Sequence, residues 1–233
     1  MAHALYHSRA SAHRYGGQAR DYLPLHSFLD QTKALIADCR HRMVLHNEWG
    51  LEIVAMRFGP TLAGVPTRQL AEDHIREDLD EVPTLERAMA GVPPDWPTPK
   101  HSLEQELDPQ TVQRHAERSA RRYGGLPADY HALHALLDGP ARHLPDWRHR
   151  LPTHNAWGPF LCESLLGPVI ACSDGREVPT RCVAEDHIAA NLGHIPPMAE
   201  ALAGVPMQSW MCRRAQPLST RFALGTDPTE EPR

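Results

Sequence analysis

The sequence lacks a basic surplus: 24 Lys and Arg stand against 29 Asp and Glu, a formal charge of −5 at pH 7. Nucleic-acid affinity rests on a net basic face that displaces counterions, so this balance argues against a nucleic-acid binder. No 18-residue apolar run occurs anywhere, and Met1 to Gly17 holds no apolar stretch of signal-peptide length. A membrane span and a secretion signal are therefore not expected, and a cytoplasmic location is. The five cysteines, Cys39, Cys162, Cys172, Cys182 and Cys212, are odd in number and form no Cys-x-x-Cys pair. That argues against a thiolate zinc site and a disulfide framework, and predicts buried thiols acting as small hydrophobes. His-Glu-x-x-His, a P-loop and Gly-x-Ser-x-Gly are also missing, and Asp73-His74 reverses the His-Asp order of HD-type phosphohydrolases.

What is abundant is histidine, with 16 copies in 233 residues, in a chain that is 41% hydrophobic and 23% charged. Such a composition buries an ordinary core. Because histidine titrates near pH 6.5, charge and self-association should respond to mild acidification.

The chain repeats itself. His7 to Gly17 is answered by His115 to Gly125, and over 7–59 against 115–167 there are 22 identities in 53 ungapped positions. Unrelated sequence of this composition would give roughly one in sixteen. A five-residue insertion then moves the offset from 108 to 113, after which Val65 to Arg68 matches Val178 to Arg181 and Ala71 to Ile75 matches Ala184 to Ile188. This predicts two homologous units at 3–97 and 112–212, a linker at 98–111, and a disordered tail at 213–233.

The spacing of apolar residues predicts mainly α units. In the first, helices are expected over 4–15, continuously over 23–47, and over 51–58, 68–79 and 84–91. The last two have counterparts at 181–192 and 197–204. Asp174-Gly175 between short apolar runs predicts a β-hairpin over 168–179 with a type I′ turn, shortened to 61–66 in the first unit. Pro140, Pro145 and Pro152 should break the second unit's copy of the long helix, so that the His149–His154 geometry cannot equal that of His41 and His46 in one straight helix: either both pairs are set by a helix end, or only one unit keeps a working site.

Duplication supplies an internal comparison, and the residues kept in both halves are mostly polar. They include five histidine pairs (7/115, 26/134, 41/149, 46/154, 74/187), four acidic pairs (30/138, 38/146, 72/185, 73/186) and arginines 14/122, 40/148, 42/150 and 68/181. On helices His26 and Asp30 are spaced i,i+4 and Asp38 and His41 i,i+3, so each pair shares a face. Imidazoles and carboxylates on converging helices bind Zn, Mn or Fe, and Asp-x-x-His resembles in outline the Glu-x-x-His element of di-iron bundles. The candidate ligands are therefore His26, Asp38, His41, His46, Glu72 and His74, with His134, Asp146, His149, His154, Glu163, Glu185 and His187 in the second unit. Glu163 has only Ala55 opposite it. Each has an ordinary alternative: Asp38 and Arg42 suit a helix-supporting ion pair, and Asp73-His74 suits a helix start. Arg40, Arg42, Arg68, Arg148, Arg150 and Arg181 form a weaker set for an anionic ligand. A Cys-His nucleophile at Cys39 is disfavoured by its counterpart, Trp147. Trp49/Trp157, Tyr22/Tyr130 and Leu25/Leu133 read as core or interface residues.

The order Ser-Ala, Tyr-Gly-Gly, Asp-Tyr, Leu-His, Asp, Arg-His-Arg, His, then Val-Pro-x-Arg and Glu-x-His resembles an uncharacterised domain-of-unknown-function family of bacterial and phage genomes, here in two tandem copies. The resemblance implies no activity, substrate or cofactor. Its relatives resemble single-unit proteins, which implies that the tandem chain imitates a homodimer about a pseudo-two-fold axis. Taken together, the sequence reads as a duplicated helical domain binding a divalent metal, with water activation for hydrolysis as the chemistry such a metal supplies. The rival is a non-catalytic interaction or structural protein with a buried polar network between its units.

Overall fold

The computed structural model describes residues 3–92 and 110–212. The predicted linker falls outside these residues except at 110–111, and the predicted disordered tail falls wholly outside. The first unit runs α1 (Ala4–Tyr15), α2 (Ala19–Asp30), α3 (Arg42–Leu45), α4 (Glu48–Phe58), β1 (Thr61–Leu62), β2 (Val65–Pro66), α5 (Thr67–Leu79) and α6 (Leu85–Met89). The second runs α7 (Thr111–Tyr123), α8 (Pro127–Leu137), α9 (Trp157–Leu166), β3 (Val169–Ala171), β4 (Glu177–Pro179), α10 (Thr180–Leu192) and α11 (Met198–Ala201). The protein is thus mainly α, two tandem homologous helical units, each with one antiparallel hairpin. Among the described residues no helix is long and apolar enough to cross a membrane.

The corner between the first two helices is set alike in both units. The Tyr22 hydroxyl donates to Gly16 O at 2.9 Å and that of Tyr130 to Gly124 O at 2.8 Å. Behind them Leu25, Leu29, Trp49, Ile53, Leu70 and Ile75 are buried, as are Leu133, Leu137, Trp157, Leu161, Val183 and Ile188. Each such side chain contributes roughly 1.5–3 kcal/mol of hydrophobic stabilisation.

The continuous helix expected over 23–47 does not form. It stops at Asp30, and the chain proceeds through single 3-10 turns at Gln31–Ala34 and Cys39–His41. Two side chains compete with helix continuation: Asp38 accepts from Arg40 N at 2.9 Å, opening a new turn, and the Thr32 hydroxyl donates to His41 O at 3.1 Å. The second unit makes the same turns at Gly139–Arg142 and Trp147–Arg150, with Asp146 capping Arg148 N at 2.9 Å. Its prolines therefore sit in and between turns and disrupt nothing. The ring centroids of His41 and His46 are 6.0 Å apart at 86° and those of His149 and His154 6.4 Å at 90°, so with no straight helix in either unit the two pairs share one geometry, the helix-end alternative.

The type I′ turn expected at Asp174-Gly175 is not formed there. In β3–β4, Cys172 N donates to Arg176 O and Gly175 N to Cys172 O, and Gly175 alone has a positive φ, 84°. That is a type I turn followed by a left-handed residue. The type I′ turn lies in the first unit, where Ala63 and Gly64 have φ of 50° and 80° between Leu62 and Val65. An alanine with positive φ costs about 1–2 kcal/mol, and asparagine tolerates that region better. Ala63→Asn is expected to raise stability by roughly 0.5–1 kcal/mol in thermal denaturation; an unchanged or lower melting temperature would refute the assignment of strain there.

The units touch reciprocally. Arg40 Nη1 donates to Leu202 O at 3.0 Å, and Arg148 Nη1 donates to Met89 O and Val92 O at 3.3 Å. Residues 40 and 148 are counterparts, as are 89 and 202. A further contact runs one way, from Arg142 and His143 to Glu52 on α4, at 2.9 and 3.1 Å. The units are also joined covalently, because Cys39 is disulfide-bonded to Cys212. This corrects the expectation of five free thiols. Pairing across 173 residues depends on how the units meet, which spacing does not encode. Cys162 and Cys172 are buried thiols as expected, and Cys182 is exposed.

Candidate metal centre

Each unit gathers four of its five shared histidines into one largely buried cluster. In the first, α2 contributes His26 and Asp30, and α5 contributes His74 and Asp78 with the same i,i+4 spacing. His46 joins from the end of α3. Its place is fixed by the next residue: Asn47 Oδ1 accepts from Gly50 N at 3.1 Å and Asn47 Nδ2 donates to Met43 O at 2.6 Å. Gly50 is required because a Cβ there would lie 1.9 Å from Leu45 O; at Gly158 it would lie 2.0 Å from Thr153 O. The His-Asn-x-Trp-Gly motif is therefore a device that presses one histidine turn against the following helix.

The donors of the first unit face one another closely. His46 Nε2 lies 3.1 Å from His74 Nε2, 3.4 Å from Asp78 Oδ2 and 3.8 Å from Asp30 Oδ1, and His74 Nε2 lies 3.6 Å from Asp30 Oδ1. One atom from each of these four buried residues falls within 4.8 Å of every other. A relay stands behind them: His74 Nδ1 is 3.0 Å from His26 Nδ1, and His26 Nε2 is 2.9 Å from Ser11 Oγ. Two cations touch the carboxylates, Lys33 Nζ at 2.5 Å from Asp30 Oδ1 and Arg42 Nη2 at 3.1 Å from Asp78 Oδ2. Beyond those ion pairs, Asp30 Oδ1 and both Asp78 oxygens accept no hydrogen bond of ordinary geometry.

Burial dominates the titration behaviour. It lowers His26 to about 3 and pushes His74 well below its usual range and His46 below it. Burial would raise the carboxyls of Asp30 and Asp78, but the facing histidines more than offset it and hold both below the usual range. His7 is the exception. Burial pulls it down, yet Asp78 at 3.5 Å and Glu77 at 2.7 Å outweigh that and raise it to about 9.

The second unit repeats the relay with different end members. Ser119, His134, His187 and His154 are linked at 3.0, 2.9 and 3.1 Å, and His187 Nε2 lies 3.4 Å from Asp138 Oδ1. The position of Asp78 is taken by Asn191, that of Glu77 by Ala190, and that of Leu45 by Thr153. The Thr153 hydroxyl donates to Leu137 O at 2.7 Å, so His154 Nδ1–H donates to Thr153 Oγ1 at 3.0 Å. His154 Nε2 is then an acceptor, receiving Asn191 Nδ2–H and His187 Nε2–H at 3.1 Å each. His187 Nδ1 accepts in turn from His134 Nδ1–H, and His134 Nε2 from the Ser119 hydroxyl. The hydrogen bonds through Ser119, His134, His187 and His154 thus all run in one direction. Without the two acids, burial lowers His115, the counterpart of His7, to about 4.

The remaining sequence candidates lie outside both clusters. Asp38 and Asp146 grip Arg40 and Arg148 through both oxygens. His41 and His149 turn Nδ1 to the carbonyls of Asp38 and Asp146. Glu72 is held at the surface by Arg68 and Arg76, and Glu163 by Arg181 at 2.7 Å, on the side chain's outer face. Glu185 belongs to none of the ligand groups among the described residues. The six arginines of the anion set do not converge, each being engaged by an acid, a carbonyl or burial. Sequence comparison missed Asp78, because its counterpart is not identical. Its signal was the repeated His-x-x-x-Asp spacing of 26–30 and 74–78.

A family model described as Domain of unknown function (DUF6915) matches residues 2–96 and again 110–211. The chain belongs to that family. The DUF6915 match covers both helical units, each with its own histidine relay. No curated protein and no solved structure matches the chain.

Proposed function

We propose that the first DUF6915 unit is a divalent-metal centre with Asp30, His46, His74 and Asp78 as ligands. The observation that carries the reading is the set of donor separations. Metal–ligand bonds of about 2.0–2.1 Å in a tetrahedron require donors roughly 3.3 Å apart; four of the six pairwise separations run from 3.1 to 3.8 Å, and all six lie within 4.8 Å. Nitrogen and oxygen donors suit Zn, Mn or Fe. His26 supports His74 from behind, as a carboxylate or carbonyl commonly does for a ligating imidazole. Lys33 competes for Asp30, but it is partly exposed and able to swing into water. Hydrolysis would need an exchangeable position, and Asp30 is the ligand that would supply it, since it borders a pocket of about 450 Å³ lined also by Ser27, Gln31 and Lys33. In the second unit the Asn191 N–H directed at His154 favours a metal-free polar network, one that lies within the unit and not, as in the rival reading, between the units.

The test uses full-length protein prepared without a polyhistidine tag. About one equivalent of Zn, Mn or Fe is expected, and at a hundredfold excess over Kd it should stabilise the fold by about 2.7 kcal/mol. Lys33→Ala should bind more tightly. Sub-stoichiometric metal together with an unshifted melting temperature would sink the reading. The reciprocal Arg40 and Arg148 contacts support a second proposal, that the two units pair as a covalently joined dimer. No nucleic acid or membrane is called for as a partner, and a cytoplasmic location remains part of the proposal.

A further inference from the structure

We infer that the Cys39–Cys212 disulfide is a redox lock on this metal centre, an inference that rests on the metal reading above. Cys39 opens the 3-10 turn that leads into His41 and Arg42, and Cys212 ends the turn Ser209–Cys212. Between them runs an unbroken line of contacts to the ligands. Arg42 Nη1 donates to Met211 O at 2.7 Å, Arg42 Nη2 lies 3.1 Å from Asp78 Oδ2, and that oxygen lies 3.4 Å from His46 Nε2. Arg42 and Met211 are both fully buried. The segment carrying Met211 is therefore the cover over the guanidinium that holds a ligand in place.

The lock is reachable from solvent, since Cys212 is exposed while Cys39 is half-buried. A dithiol reductant would attack one sulfur, forming a mixed disulfide and releasing the other as a thiolate. Its second thiol then closes on the mixed disulfide, leaving two protein thiols and an oxidised reductant. Two electrons and two protons pass to the protein. With the bond gone, the 209–212 turn keeps the buried Met211 with its hydrogen bonds and the partly buried Trp210, but no covalent tie to the first unit. Its departure removes the Met211 carbonyl from Arg42, admits water, and frees Asp78 to exchange its metal. The device serves one unit: the second has Trp147 where the first has Cys39.

The experiment loads the full chain with Co²⁺, whose visible absorption reports the bound metal, and follows its loss to EDTA before and after reduction with a phosphine. Three thiols should be titratable in the denatured, unreduced protein and five after reduction. Release is expected to be at least tenfold faster once reduced, and Cys39→Ser/Cys212→Ser should behave as the reduced form in either condition. Hydrogen exchange of 206–212 should rise in parallel. Five thiols before reduction, or equal release from both forms, would overturn the lock and leave the metal centre standing. Failure of both forms to bind Co²⁺ would overturn both proposals.

Discussion

Between pH 6 and pH 5 the protein is expected to unfold cooperatively, taking up as many as eight protons. Burial lowers eight histidines: His26, His41, His46, His74, His115, His134, His149 and His154. Where values are defined they fall to about 3 for His26, 4 for His41 and His115, and 2 for His134. Those four are neutral in the folded protein at pH 5 and protonated in the unfolded chain, and the other four are shifted in the same direction. The stability such groups contribute is present above the unfolded value near 6.5 and is lost as pH falls below it. Eight protons at 1.36 kcal/mol each give a slope of up to about 11 kcal/mol per pH unit. A domain's whole stability is roughly 5–15 kcal/mol, so about one unit exhausts it. His7 works in the opposite sense: raised to about 9, it contributes stability that is complete below 6.5 and lost as pH climbs through 9. A bound metal would sharpen the acid limb, since protons compete for His46 and His74. Tryptophan fluorescence against pH, with proton uptake from calorimetry in two buffers, reads both numbers. A native spectrum at pH 4, or uptake of one or two protons, would show that the buried relay is not neutral.

Much of this arrangement was legible in the sequence, and the illegible parts share a cause. The duplication located the clusters, because five histidine pairs retained in both units are four cluster members and one neighbour, His41/His149. Helices α1, α4 and α5 follow from local periodicity and caps. The long helix did not, because Asp38 and Thr32 spend their side chains on backbone groups, and periodicity counts apolar residues without seeing that competition. Asp78 escaped for a different reason. Identity between units selects what both retain, whereas the first cluster's distinctive carboxylate is what one unit has and the other lacks. The disulfide depends on the meeting of units and has no local signature at all.

That same difference makes position 78/191 the decisive substitution. Asp78→Asn converts the first cluster into the second: it removes a donor from the tetrahedron and is expected to abolish stoichiometric metal binding. It also strips Arg42 and His7 of a facing carboxylate, and loss of one partner from a buried pair costs about 3–5 kcal/mol. Lost binding alone would therefore not separate a missing ligand from a loosened fold, and the reverse change does. Asn191→Asp places a carboxylate 3.1 Å from His154 Nε2 if it keeps the asparagine's rotamer. There His154 Nδ1 already has Thr153 Oγ1 as its outer partner, which His46 lacks, its Nδ1 being buried without a hydrogen bond. The second unit is thus better prepared behind the imidazole and short only of the acid. Asn191→Asp is expected to raise the metal content from one equivalent to two, and the double variant Asp78→Asn/Asn191→Asp to return it to one, now in the second unit. Full metal content in Asp78→Asn, or none gained in Asn191→Asp while the variant remains folded by circular dichroism, would mean that the carboxylate at this position is not what recruits the ion.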